Sequence, residues 1–443
     1  MKKSMAFMAF VALLLGGCQT SSSDWQERTD QPVWLYRSVK QVTDVIVHDI
    51  FSPPVASRIY AYPSIAAYQV IAQNDTAWVS LDGQLRGLQA SPMGPKGTWC
   101  PELAAIEAFL QTAKRLVFSE YQIEAFRDSL FLEIQQDIGM PEAVFKRSVQ
   151  YGGEMAAHIL AWADKDNYKQ TRTAPKFSIT SEQGRWKPTP PDYMEGIEPS
   201  WREIRPFVID SAQQFKPLPP PAFSMKPGSE FYAMTMEVYD SVRLIAEESR
   251  DIASFWDCNP YVSTHKGHFM FATKKITPGG HWMGITGIAS GKNGDSFQQA
   301  ARTHAMVAIA LADAFISCWD EKYRSNLIRP ETVINEFIDP EWKPILQTPP
   351  FPEHTSGHSV ISASAATALT SIYGEPFAFR DTVEVEYGLP ARSFTSFRDA
   401  ADEAAISRLY GGIHYRPAID YGVDQGKQVG RLIVERLQFE ENE

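Results

Sequence analysis

Residues 300–317 read AARTHAMVAIALADAFIS, a run rich in alanine whose apolar side chains surround the helical axis instead of lying along one stripe. A helix of that pattern belongs in the middle of a bundle, because no face of it gains by meeting water. Ser359 to Tyr373 repeats the pattern and is stopped by Gly374 and Pro376. Phe397 to Tyr410 and Tyr421 to Phe439 complete a C-terminal set, and in the last of these Gly422, Gly426 and Gly430 recur every fourth residue as a bare stripe for a close neighbour. Upstream, apolar residues at three- and four-residue spacing predict helices over Tyr36 to Ala72, Pro101 to Phe118, Glu120 to Ile138, Pro141 to Ala163 and Glu230 to Trp256. No series of alternating strands appears. Gly184 to Pro227, with Pro190-Pro191 and Pro219-Pro220-Pro221, cannot be helix interior and reads as an extended surface excursion, either a boundary or a long loop. The expectation is an all-α protein, with a helical region over 36–227 that includes the proline-rich excursion and a second over 228–443.

With 443 residues, 44% hydrophobic and 21% charged, the chain has ample apolar material for a core and is too apolar for intrinsic disorder. A net charge of −11 argues against nucleic acid as a partner, since phosphate neutralisation needs a basic face. At the N-terminus, Lys2 and Lys3 precede an apolar stretch from Met5 to Leu15, about half the ~20 residues needed to span a bilayer. It closes with Leu15-Gly16-Gly17-Cys18, which resembles a bacterial lipobox. The expectations are a signal peptide over 1–17, a lipid on Cys18, a tether over 18–35 and attachment to the outer membrane. Cys100, Cys258 and Cys318 then remain, enough for one disulfide at most. The closest sulfur and imidazole grouping is too wide in sequence to suggest zinc, and neither CxxC nor HExxH occurs.

Three groups carry chemistry. Lys322 and Arg329-Pro330 are seven apart, so a continuous helix would put both cations on one face, with Pro330 ending it. Ser356-Gly357-His358 directly precedes a helix, where a hydroxyl, a glycine amide and the positive helix end can face one anion. Ser407-Arg408 is followed by His414, with Gly411-Gly412 between them to turn the chain. Together these supply three cations, neutral donors and two imidazoles in an acidic protein. That set suits a tetrahedral oxyanion, whose several oxygens an arginine fork satisfies in pairs. One imidazole can bond the central atom while the other moves protons.

The three segments, in this order, resemble the signature shared by vanadium-dependent haloperoxidases and the type 2 phosphatidic acid phosphatase superfamily. Trp319-Asp320, Phe351-Pro352-Glu353 and the run from His414 to Asp420 are similar to bacterial vanadium iodoperoxidases. The resemblance implies an all-helical bundle fold with a vanadate cofactor between helices near one end. It implies His414 as the axial ligand, Lys322, Arg329, Ser356, Gly357 and Arg408 as holders of the equatorial oxygens, and His358 as the acid–base group. Phe351 falls where family members differ in halide preference, and Trp319 and Tyr261 are further pocket candidates. The implied substrates are hydrogen peroxide and a halide, with iodide the easiest to oxidise. The second reading is an acid phosphatase on the same scaffold with His414 as nucleophile, and the third a binding lipoprotein without catalysis. No protein partner is readable. One departure stands out: in many relatives an acid lies four residues after the third-motif histidine, whereas Ala418 stands there here, leaving Asp420 or a backbone carbonyl to orient His414.

The remaining histidines take plainer readings. His265 and His268 read as a loop near the pocket rather than a metal pair. His354 reads either as an exposed loop residue or as a neighbour that tunes His358. His48, His158 and His304 sit in apolar helices and read as buried, hydrogen-bonded residues.

Overall fold

The computed structural model describes residues 25–266 and 269–441. The expected signal peptide, Cys18 and the start of the expected tether, like His268, lie outside the described residues. The N-terminal elements are α1 (Pro32–Asp49), α2 (Pro53–Ala72), α3 (Pro101–Lys114), α4 (Glu120–Ile138), α5 (Glu142–Ala163) and the short α6 (Tyr168–Thr171). After the proline-rich stretch come α7 (Glu230–Arg243) and α8 (Glu247–Phe255), then the hairpin β1 (Val262–Lys266) and β2 (Phe269–Thr273). The chain finishes with α9 (Pro278–Asn293), α10 (Phe297–Ser325), α11 (Pro330–Phe337), α12 (Gly357–Tyr373), the small hairpin β3 (Phe379–Asp381) and β4 (Arg392–Phe394), α13 (Phe397–Tyr410) and α14 (Arg416–Arg436). The protein is all-α, as the periodicity predicts, with two two-stranded antiparallel hairpins added among the described residues.

The central helix is α10. Ser296 caps it and Gln299 returns the bond in a capping box, and from Phe297 to Tyr323 nearly every side chain is buried. By length and composition it could cross a membrane, yet 94% of that window is buried inside the protein, where it packs on α2, α9, α12 and α14. One apolar core runs from Trp25 to Phe439, joining helices from both sides of the proline-rich stretch. That stretch is no surface excursion. Trp186, Trp201, Phe207 and Ile209 are buried, and the Asp313 carboxylate of α10 accepts the backbone N–H groups of Phe207, Val208 and Ile209 at 2.7–2.9 Å. Irregular backbone lies in the interior here because a helix side chain satisfies its donors.

The glycine stripe fixes how closely the last helix lies on its neighbour. A Cβ on Gly426 would lie 2.1 Å from the Val360 carbonyl oxygen, and one on Gly422 would lie 2.9 Å from Ser359 Cβ. Thus α14 lies directly on α12, and Ser356 N donates to the Ala418 carbonyl across the contact at 2.9 Å. The helix expected over Tyr36 to Ala72 is two helices, starting at Pro32 within the expected tether and broken where Ile50 turns left-handed (φ 55°) ahead of Pro53-Pro54. The helix expected over Glu230 to Trp256 also breaks, between Leu244 and Ala246. Cys100, Cys258 and Cys318 are all unpaired and buried.

Two glycine substitutions separate packing from propensity. Gly426→Ala forces a methyl into backbone and should cost about 1–3 kcal/mol by overpacking. Gly153→Ala, inside α5 with nothing within 4 Å of the place its methyl would take, should instead stabilise by about 1 kcal/mol. Denaturant unfolding of both variants checks the opposite signs.

Candidate active site

Lys322 lies on the last turns of α10, fully buried, and its ammonium donates to the carbonyls of Pro352 (3.2 Å), Glu353 (3.1 Å) and Thr355 (2.5 Å). It therefore clamps the loop that delivers the second motif. Arg329 does not share a helix face with it. The chain leaves α10 through left-handed Asn326 (φ 48°), Arg329 becomes the residue before α11, and Pro330 opens that helix instead of ending one. The turn brings the Arg329 guanidinium back, with Nε donating to the Phe351 carbonyl and Nη1 to the Ile413 carbonyl.

Ser356 is the N-cap of α12, its hydroxyl accepting from Ser359 N at 3.3 Å. Gly357 and His358 form the first turn, at the positive end of the helix. The His358 ring donates to the Trp256 carbonyl, which leaves Nε2, a buried atom, without a partner. The same carbonyl accepts from Arg408 Nη2 at 2.7 Å, while Arg408 Nε donates to Ser407 Oγ at 3.0 Å. A single backbone oxygen thus orients a guanidinium and an imidazole.

His414 follows the turn made by Gly411 and Gly412, where Gly412 has φ 78° and needs to be glycine. Its Nδ1 lies 2.8 Å from Glu353 Oε1, which also accepts from Tyr415 N, and its Nε2 lies 3.2 Å from Arg329 Nη1. With Nδ1–H given to the carboxylate, the Nε2 lone pair faces the cationic side. Glu353, not Asp420, is the partner that orients this ring; Asp420 is exposed on α14. In the sequence Glu353 is only flanking text, since an acid sixty-one residues before its histidine leaves no spacing signal. The Trp256 carbonyl has no sequence signal at all.

These groups meet at one cavity of about 40 Å³. That is about three times the ~10–15 Å³ needed for one water. Gly357, His358, Arg408 and His414 form part of its wall, with Trp319, Phe351 and Tyr261. Pro53, Pro260, Pro278 and Pro349 also line it. Lys322, Arg329 and Ser356 stand immediately behind, and Arg329 Nη2 is buried without an acceptor.

Burial drives the electrostatics. It pulls Lys322 down to about 7 and Arg329 to about 10, and lowers Arg408. Burial, followed by Arg408 for one ring and Arg329 for the other, holds His358 and His414 well below the usual imidazole range, so both are neutral. Glu353 is pushed up to about 7 by burial against the pull of Arg329. Lys322 and Arg329 share Glu353, a carboxyl that resists ionising, and Arg408 has Asp257 nearby, yet burial still pulls all three bases down, so an added anion would favour their charged forms. Arg329 Nη2, His358 Nε2 and Glu353 Oε2 are buried without partners; the first is a free donor for an oxyanion and the second can meet a protonated oxygen of one, and the residues present fit vanadate.

Outside the cradle, His354 is buried, with Nε2 3.1 Å from the Leu218 carbonyl, and is no exposed loop residue. His304 is buried against the Ala300 carbonyl as expected, His158 is half-buried beside the Gln89 carbonyl, and His48 is exposed. His265 belongs to the hairpin β1–β2 rather than a loop.

Glu353 makes a pH dependence. Its ordinary value is ~4.3, so the folded state resists the charge, and the stability it contributes is full below ~4.3 and lost as pH rises to about 7. Glu353→Gln keeps an acceptor for His414 and Tyr415 and removes that loss. The melting temperature of the variant should gain on the parent across this window and then level off, as read by calorimetry over a pH series. A constant difference would contradict the assignment.

Likeness to known proteins agrees with this geometry. Residues 302–442 match a family model described as the VCPO second helical-bundle domain. No curated protein matches. Among solved structures, the chain is similar to a bacterial vanadium-dependent iodoperoxidase at 53% identity and TM-score 0.88, covering 93% of this chain and 98% of that one. A bacterial vanadium-dependent chloroperoxidase shares the fold in its holo form at 16% identity and TM-score 0.66, over 88% of this chain and 93% of that one. Its apo form does so at 17% identity and TM-score 0.66, over 87% and 94%. The extent of the first likeness, 53% identity along almost the whole of both chains, decides the matter: the protein belongs to the vanadium-dependent haloperoxidase family.

Proposed function

We propose that the protein uses vanadate to oxidise a halide, iodide first, with hydrogen peroxide to hypohalous acid. The observation that carries this reading is that Gly357, His358, Arg408 and His414 line one cavity, with Lys322 and Arg329 bonded to the loops behind it and Arg329 Nη2, Glu353 Oε2 and His358 Nε2 buried without partners. Lys322, Arg329 and Arg408 would hold the negative charge of the oxyanion, Ser356 and the Gly357 amide would add neutral donors, and His414 Nε2 would bond the metal. Bound vanadate supplies a Lewis-acidic centre at which peroxide is activated without a change of metal oxidation state. Glu353 keeps His414 in the tautomer that presents its Nε2 lone pair. His358, neutral and anchored through the Trp256 carbonyl, accepts a proton at Nε2 from peroxide and returns one to the departing water. The rings of Trp319 and Phe351, tilted at 53° with centroids 5.0 Å apart, with Tyr261 give the cavity an apolar wall suited to a large, polarisable halide. Residues 1–17 and Cys18 carry the further proposal of a lipid-anchored chain at the outer membrane.

Protein reconstituted with vanadate should oxidise iodide with peroxide, and inorganic phosphate should suppress that activity by competing for the cradle. Cleavage of p-nitrophenyl phosphate without peroxide-dependent iodide oxidation would show the phosphatase reading to be the right one. His414→Ala should abolish vanadate binding measured by equilibrium dialysis. His358→Ala should retain binding and lose about 10²–10⁴-fold in turnover; normal turnover in either variant contradicts the roles given. Cys18→Ser should move the protein from the membrane fraction to the soluble fraction.

A further inference from the structure

Beside the cavity, and sharing Cys258 with its wall, lies a second cluster that the halide chemistry does not use. Cys258 follows α8, His281 is on the first turn of α9 and Glu384 precedes a short turn after β3, so three remote segments meet there. All three residues are buried. Cys258 Sγ lies 3.5 Å from His281 Nδ1 and 3.8 Å from Glu384 Oε1, and His281 Nδ1 lies 3.1 Å from that oxygen. A tetrahedral zinc with sulfur at ~2.3 Å and nitrogen or oxygen at ~2.0–2.1 Å has ligand edges of ~3.5 Å from sulfur and ~3.3 Å between nitrogen and oxygen. The triangle matches those edges without rearrangement.

The far side of the imidazole is prepared in the same sense. His281 Nε2 lies 2.7 Å from Asp381 Oδ2, and the other oxygen of Asp381 accepts from Val383 N at 2.9 Å. A carboxylate on one ring nitrogen and ligand atoms on the other is the carboxylate–histidine–metal arrangement that fixes the tautomer of metal-bound histidines. Trp256 stacks on the ring with centroids 4.6 Å apart and planes at 20°, holding it in plane. Although burial opposes its charge, the His281 ring is held above the usual imidazole range by Asp381 and Glu384, so two buried carboxylates share one positive charge and the group stays short of a second.

We propose that Cys258, His281 and Glu384 form a binding site for a zinc-like divalent cation, with Asp381 as the positioning residue for His281. Binding releases two protons, one from the thiol and one from the imidazole Nδ1, and the cation takes their place, so the net charge of the buried group is unchanged. The fourth coordination position belongs to water. Because Cys258 is two residues from Trp256, whose carbonyl orients His358 and Arg408, the cation also braces the backbone that shapes the oxyanion cradle.

The test uses the full chain, stripped with chelator and titrated with cobalt(II). One cobalt per chain with a thiolate-to-cobalt charge-transfer band, displaced by zinc, is expected. Zinc should also raise the melting temperature. Cys258→Ser should lose the band, Glu384→Gln should bind at least tenfold more weakly, and Asp381→Asn should lose about 10–100-fold in affinity. Absence of stoichiometric cobalt, or a band that survives Cys258→Ser, overturns the proposal. If the variants do not fold, X-ray absorption on the cobalt-loaded parent decides: a shell with one sulfur supports the site and a shell of nitrogen and oxygen alone overturns it. Vanadate binding measured separately keeps this outcome independent of the halide chemistry.

Discussion

Three basic side chains are held out of water where burial opposes their charge more than the neighbouring acids support it, and the rest of the structure exists to keep them there. Lys322, Arg329 and Arg408 are each pulled toward neutrality by burial, and Glu353, the acid that meets the first two, is itself reluctant to ionise. In water such a grouping would disperse, since desolvating three cations together costs free energy until an anion arrives. Backbone carbonyls make the arrangement tolerable. Those of Pro352, Glu353, Thr355, Phe351, Ile413 and Trp256 accept most of the donors without adding a full charge. Dipoles satisfy the hydrogen bonds, and the net charge stays available for a guest.

Holding carbonyls at fixed distances requires a rigid frame, and the frame is helix on helix. The close approach of α14 to α12 sets where the capped N-terminus of α12 points. The burial of α10 sets where Lys322 emerges, and Asp313 on the same helix draws the irregular 207–209 segment into the core. Each device removes a degree of freedom between segments that are far apart in the chain.

Much of this is legible in the sequence because it is written in periodicities and residue types. The apolar run at 300–317, the glycines at 422, 426 and 430 and the histidines at 358 and 414 announce the bundle, its tightest contact and its reactive rings. What is not legible depends on where the chain turns. The break at Ile50 and the turn at Asn326 are left-handed residues that spacing alone cannot foresee, so a single long helix and a shared face for Lys322 and Arg329 are the natural misreadings. Glu353 is hidden for a related reason: its role follows from a loop folded by Lys322, not from its distance to His414 in sequence. The cluster of Cys258, His281 and Glu384 is spread over 126 residues and shows no motif.

The prolines in the cavity wall have a consequence for traffic. Pro53, Pro260, Pro278 and Pro349 possess no N–H, so none of them can tether a passing ion. The polar neighbour Asn259 is already engaged, its amide with the Gln347 carbonyl and its oxygen with Tyr261 N. That part of the wall is therefore non-stick: the prolines and the engaged Asn259 offer a halide or an oxyanion no free donor, so Arg408, the Gly357 amide and the imidazoles are left as the groups that can hold it.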